Sequence, residues 1–157
     1  MITRVISAFP CCGKTFATNH SRRFEILDSD SSKFSWILNE DGTSTGVRNP
    51  AFPDNYIEHV KENLGKYDII FVSSHTAVRE ALILAQIPFI IVYPQANLKV
   101  EWIGRMYLRG DSPEFISRIY ERWEEMMDEI DDCACSGDRI FRLNSGEYIN
   151  PEVLYTW

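Results

Sequence analysis

Two stretches of this chain, Tyr67-Asp-Ile-Ile-Phe-Val-Ser73 and Pro88-Phe-Ile-Ile-Val-Tyr-Pro94, are apolar almost without a break over the length of one strand. Side chains of a strand alternate between the two faces of its sheet, so a run with no polar alternate needs cover on both faces. That requirement predicts a parallel sheet held between layers of helix.

The rest of the chain supplies the missing layers. Thr3 to Phe9 is rich in β-branched and apolar residues and reads as a first strand, followed by a turn and a helix from Lys14 to His20. Phe24 to Asp28 is a second strand. Pro53 to Leu64 is a helix closed by Gly65, and Thr76 to Gln86 is another. Leu98, Trp102, Ile103, Met106 and Tyr107 recur at helical spacing, as do Phe115, Ile119, Trp123, Met126 and Ile130. Gly110-Asp-Ser-Pro113 separates these two helices, with Ser112 as cap and Pro113 in the first turn of the second. Arg139 to Leu143 is a fifth strand, and Asn150-Pro151 opens a last helical turn. Strands alternating with helices at this spacing predict one three-layer α/β domain over 1–157, its five-stranded, mostly parallel sheet carrying helices on both faces.

Composition removes several classes of function. With 45% hydrophobic residues and 157 in total, the chain can bury a core and is not of the disordered type. A formal net charge of −7, with Glu121, Glu124, Glu125, Asp128, Glu129, Asp131 and Asp132 crowded together, argues against a footprint on duplex nucleic acid. The first residues lack a secretory leader and no apolar stretch has the length of a membrane span, so a cytoplasmic protein without membrane attachment is expected. Cys11, Cys12, Cys133 and Cys135 are read as thiols, because neither pair has the spacer of a zinc ribbon.

The segment Ala8-Phe-Pro10-Cys11-Cys12-Gly13-Lys14-Thr15 lies where a strand gives way to a helix, the setting that a phosphate-binding loop requires. Loop amides would wrap a phosphate, Lys14 would neutralise its oxygens, Thr15 would ligate magnesium, and Phe16 follows in the first turn. Ala8 stands where the motif usually has its first glycine. The second strand ends in Asp28-Ser-Asp30-Ser31-Ser32, which places two carboxylates at the sheet edge where ligands bind. Asp28 and Asp30 are candidates for metal and acceptor; an Asp/Ser turn capping the next helix is the plainer reading. Arg105 and Arg109, one helical turn apart, can clamp phosphates together, or can belong to a solvated face paired with the acidic helix; Arg118 is a weaker third candidate. Arg48 in a flap over residues 33–52, and Ser74 and His75 after the third strand, are candidates for the acceptor side, with a loop arginine and a helix cap as their structural counterparts. Phe34 and Trp36 can stack on a base, but packing on the core is ranked ahead.

In these motifs the chain resembles the nucleoside monophosphate kinase branch of P-loop proteins, particularly the small, divergent kinases of bacteriophages. The residues that carry the resemblance are Ala8 to Thr15, Asp28-Ser-Asp30-Ser-Ser32, Ser73-Ser74-His75 and Arg105-x-x-x-Arg109. The resemblance implies the three-layer P-loop NTPase fold, a helical lid over residues 97–130, ATP and Mg2+ as cofactors, and transfer of the γ-phosphoryl to a (deoxy)nucleoside monophosphate. Catalytic roles then fall to Lys14, Asp28, Asp30, Arg105 and Arg109, and magnesium to Thr15 and Asp28, in a monomer or homodimer. Two alternatives stay open: a kinase of another small alcohol or of a polynucleotide end, which needs a carboxylate more than extra cations, and a nucleotide-binding regulator without catalysis.

Overall fold

The structure is a computed structural model that describes residues 2–133 and 139–157. The chain runs β1 (Arg4–Ala8), α1 (Lys14–His20), β2 (Ile26–Asp28), α2 (Ser32–Ser35), β3 (Trp36–Leu38), β4 (Ser44–Arg48), α3 (Asp54–Asn63), β5 (Ile69–Ser73), α4 (Thr76–Leu84), β6 (Phe89–Pro94), a 3-10 turn (Ala96–Leu98), α5 (Lys99–Arg109), α6 (Pro113–Asp131), β7 (Ile140–Leu143) and α7 (Pro151–Thr156).

The main sheet has five strands in the order β2-β5-β1-β6-β7, and all its pairings are parallel. Every residue of β6 is buried, as are four of the five in β1 and in β5. Since neighbours on a strand face opposite ways, burial of all of them means that both faces of the sheet are covered. Helix–strand alternation and the continuous apolar runs predict this arrangement, and it is what forms.

The order also fixes where a ligand can sit. From β1 the chain crosses to β2 on one side, whereas β6 and β7 lie on the other. The crevice outside the carboxyl end of β1 is therefore a switch point. The β1–α1 loop, Asp28, Ser73 and Ser74 all stand at that end.

Two differences from expectation concern the connections. The segment 33–52 is not an irregular flap: it holds α2 and an antiparallel hairpin of β3 and β4, with Trp36 opposite Arg48 and Leu38 opposite Ser44. The stretch 97–130, expected as a helical lid, is packed against the core. Its helices α5 and α6 bury Trp102, Met106, Ile116, Ile119, Trp123, Met127 and Ile130 in the core, so moving it as a unit would open that core. Ser112 caps α6 as its sequence predicts, its hydroxyl accepting from Phe115 N–H at 3.2 Å. Among the described residues no helix is long and apolar enough to cross a membrane.

Candidate functional site at the carboxyl end of the central strand

The loop between β1 and α1 is shaped from outside. Its first residue, Phe9, donates its N–H to Val92 O at 2.9 Å, and its ring meets Trp123 edge-on at 5.6 Å. The next three carbonyls are each held by a donor from another part of the chain. Pro10 O accepts from Trp102 Nε1 at 3.1 Å, Cys11 O from Arg105 Nη1 at 3.1 Å, and Cys12 O from Ile149 N at 2.8 Å. In a planar trans peptide the N–H points opposite to the C=O. Carbonyls drawn outward therefore turn the N–H groups of Cys11, Cys12 and Gly13 into the loop. Among the described residues none of these three meets an acceptor.

Two residues of the loop take left-handed backbone angles, Cys11 at φ 62° and Gly13 at φ 96°. Alternation of this kind makes a concavity of N–H groups that suits an anion. Gly13 is also needed for space, because a Cβ there would approach Tyr148 Cδ1 to 3.2 Å. Burial pushes the Cys12 thiol up to about 12. Cys11 is raised too, chiefly by burial, with Arg109 acting against it. Both are neutral thiols at ordinary pH. Cys135 lies outside the described residues.

Lys14 opens α1 and reaches back to Ala8 O, 3.5 Å from its Nζ. Thr15 Oγ1 donates to Asp28 Oδ2 at 3.2 Å, which brings together the two residues expected to share a metal. Asp30 is placed differently. Its two oxygens accept from Ser32 N at 2.9 Å and Ser32 Oγ at 2.8 Å, so it caps the turn into α2, the plainer of its two sequence readings. Ser31 is buried, its carbonyl taking the N–H of Ser35 at 2.9 Å. Just behind, Tyr56 donates its hydroxyl to Ser29 O at 2.7 Å, while the buried hydroxyl oxygens of Ser29 and Ser73 have no partner among the described residues.

A cleft of about 160 Å³ opens beside Lys14, lined by Ser74, His75, Arg79 and Arg122 among others. Burial holds His75 below the ordinary histidine value, and the charges of Arg48, Lys14 and Arg79 push it the same way. The positive charges of three elements thus act on one imidazole. Arg79 is 3% exposed and donates to Ser74 O at 3.2 Å and to Thr76 Oγ1 at 3.1 Å. His75 is the N-cap residue of α4, its carbonyl accepting from Val78 N at 3.0 Å and Arg79 N at 3.1 Å, but its side chain makes no capping bond. Arg48 lies over the Trp36 ring at 4.1 Å, and Phe34 packs against Tyr56 and His59; the ranking of core packing over base stacking holds for Phe34.

On the other side of Lys14 is a second cleft, of about 270 Å³, bounded by Gly13, Thr15, Phe16, Arg109 and Tyr148 as well as Arg105. Phe16 is 65% exposed and stacks on His20 with ring centroids 4.0 Å apart. The two arginines do not project as a pair. Arg105 lies between the rings of Trp102 and Tyr148, 3.7 and 4.0 Å from their centroids, and spends its Nη2 on Glu101 at 3.1 Å and on Glu147 O at 2.9 Å. Arg109 is half exposed and forks onto Asp111 at 2.6 to 3.0 Å. Glu101 in turn takes Ser145 Oγ at 2.5 Å and Gly146 N at 3.1 Å, which hold its carboxyl below the usual range and pin the loop before α7.

Sequence reasoning missed Arg79, Trp102, Glu101 and Tyr148 as site residues. Arg79 carried a signal: it falls four residues after His75, on the same face of α4. Tyr148 carried none, because only the fold brings it against Gly13. No known family model matches this chain, and no curated protein does, so its functional reading rests on these residues.

Proposed function

We propose that the chain is an ATP-dependent kinase that transfers the γ-phosphoryl group to a (deoxy)nucleoside monophosphate. The observation that carries this reading is the β1–α1 loop: three consecutive carbonyls tied outward leave three N–H groups facing inward, with Lys14 beside them and a cleft on each side. A loop so held is a receptor for phosphate oxygens. Two clefts meeting at one lysine suit a donor and an acceptor whose phosphates must come into line.

In this reading the larger cleft takes ATP, with its base against Tyr148 and Phe16 and its phosphates in the loop. Lys14 neutralises the oxygens of the moving group, and Arg109 exchanges Asp111 for the phosphate chain. Thr15 and Asp28 offer two hard oxygen donors in contact, which fits magnesium, an ion that takes its remaining ligands from phosphate and water. Bound there, magnesium would draw charge off the bridging oxygens. The bond to the β-phosphate breaks and a bond from the acceptor oxygen to the γ-phosphorus forms, with no covalent enzyme intermediate.

The acceptor cleft favours an anion over a neutral alcohol. An alcohol must lose a proton and needs a free base, yet both oxygens of Asp30 are engaged by Ser32. A phosphate acceptor needs cations instead, and Lys14, Arg79 and Arg122 line this cleft, Arg122 paired with Glu129. The test is ADP formation from ATP and magnesium with a panel of ribo- and deoxyribonucleoside monophosphates, small alcohols and 5′-hydroxyl oligonucleotides. ADP formed with a monophosphate supports the reading. Turnover only with an alcohol or an oligonucleotide end moves the acceptor assignment, and ATP binding without any transfer leaves the non-catalytic regulator.

A further inference from the structure

We infer that Arg105 is a positioning residue that holds the β1–α1 loop in its anion-receiving form through Cys11 O and does not touch the transferred phosphoryl group. The inference rests on the reading of that loop as a nucleotide site, and it separates Arg105 from Arg109, its neighbour one turn on.

The loop asks for such a brace because of its own residues. Between Ala8 and Gly13 stand Phe9, Pro10, Cys11 and Cys12, none of which is at ease in the left-handed region. Yet Cys11 has φ 62°, a conformation that a residue with a Cβ keeps only where its surroundings impose it. The surroundings are Arg105, on Cys11's own carbonyl, and Trp102, on the carbonyl before it. These donors are three residues apart on α5 and so share one face of the helix. The helix presents two hydrogen-bond donors to two successive peptides, which fixes the turn between them.

Arg105 has little left to give a ligand. Its side chain is 9% exposed, aromatic rings cover both faces of the guanidinium, and its terminal nitrogens are engaged by Cys11 O, Glu147 O and Glu101. Only a planar fork can donate along its edge while stacked on both faces, so lysine cannot replace it. The bonds to Cys11 and Glu147 also make Arg105 the link between the loop and the wall that carries Tyr148.

The experiment is a cycle of Arg105→Ala, Cys11→Gly and the double variant, with Arg105→Lys beside them, in the full chain. Two quantities are read: ATP affinity by calorimetry and, in the protein without nucleotide, hydrogen exchange of the Ile149 and Ala17 amides, which are bonded to the loop carbonyls Cys12 O and Gly13 O. Arg105→Ala should bind ATP on the order of tenfold more weakly, the worth of one charge-assisted hydrogen bond, and should exchange faster at those amides. Cys11→Gly alone serves as the reference for the double variant: the loss that Arg105→Ala adds to it should be much smaller than the loss it causes in the parental chain. The double variant should recover most of the lost affinity, since glycine adopts the turn unaided; Arg105→Lys should behave like Arg105→Ala. A double variant as weak as Arg105→Ala, with exchange at those amides unchanged in both, overturns the inference and returns Arg105 to direct contact with the ligand. Should Arg105→Ala fail to fold, Arg105→Lys keeps the aliphatic stem and Trp102→Phe removes the bond to Pro10 O together with part of a buried ring under Arg105; both must speed exchange at those amides, and unchanged exchange in both again overturns it. The exchange arm needs no nucleotide, so a parental protein that binds no ATP would sink the proposed function and still leave this inference decided.

Discussion

The two clefts that meet at Lys14 are built in opposite ways. On the side of Tyr148, the walls are tied to one another: α5 holds the β1–α1 loop through Trp102 and Arg105, and holds the loop before α7 through Glu101 and Arg105. On the side of His75, Lys14, Arg79 and Arg122 line the cleft with Glu129 as the carboxylate paired to Arg122, two buried serine hydroxyls have no partner among the described residues, and the neighbouring hairpin strand β4 is exposed along its whole length. The first cleft is finished by the protein itself. The second keeps polar groups in need of a partner, which costs stability in the free protein and is repaid when a ligand supplies the missing acceptors.

Lys14→Ala tests what the two sides share, and its effect should be the largest, because Lys14 lines both clefts. Turnover should fall on the order of a hundredfold to a thousandfold, as when a donor to developing charge is removed. ATP should bind more weakly and the circular dichroism spectrum should not change. Unaltered affinity by calorimetry would show that the loop does not hold phosphate.

Asp28 and Asp30 sharpen the comparison, since one belongs to the Thr15 contact and the other to the turn on the acceptor side. Asp28→Asn should lower turnover on the order of a hundredfold and raise the magnesium needed for half-maximal rate. Asp30→Asn should cost about 1 kcal/mol of stability, the worth of a cap, with turnover near parental. Steady-state rates over a magnesium series, with a thermal melt of each variant, decide between these roles; a rate lost in Asp30→Asn with its melting point intact would make Asp30 the acceptor's ligand.

The smallest effect belongs to His75 and appears only on the acid side. Its folded value lies below the unfolded 6.5, so below that value the unfolded chain takes up a proton that the folded protein refuses. The stability due to neutral His75 is therefore complete above 6.5 and declines as pH falls from there toward the folded value. His75→Asn should flatten this acid limb in melting curves and leave those above neutrality alone. An acid limb of unchanged steepness would mean that burial, aided by the charges of Arg48, Lys14 and Arg79, does not hold the imidazole neutral.

How much of this was legible in the sequence depended on how local each signal was. The strands β5 and β6 were plain because burial on both faces writes itself as an unbroken apolar run. The hairpin was missed: Asp41-Gly42 signals a turn, yet Ser44 to Arg48 is entirely exposed and shows no apolar alternation to mark a strand. Spacing placed Arg105 and Arg109 on one helix, but spacing says nothing of what lies opposite. Tyr148 covers the first, solvent and Asp111 meet the second, and their fates diverge. Thr15 and Asp28 were legible because each ends or begins an element at the same edge of a parallel sheet, where the topology itself brings them together.

The bond from Ile149 N to Cys12 O has a consequence for the order in which the molecule is made. The residues of the loop leave the ribosome long before Ile149, so the third of its carbonyls has no donor until residue 149 has been synthesised. The same is true of Tyr148, against which Gly13 closes. A nascent chain can form β1 and α1 and still lack the receptor between them, so the site is completed long after its motif has been made. Its formation waits on contacts between distant parts of the sequence, the slow kind in folding, and a chain halted before residue 148 would present the motif without the cradle.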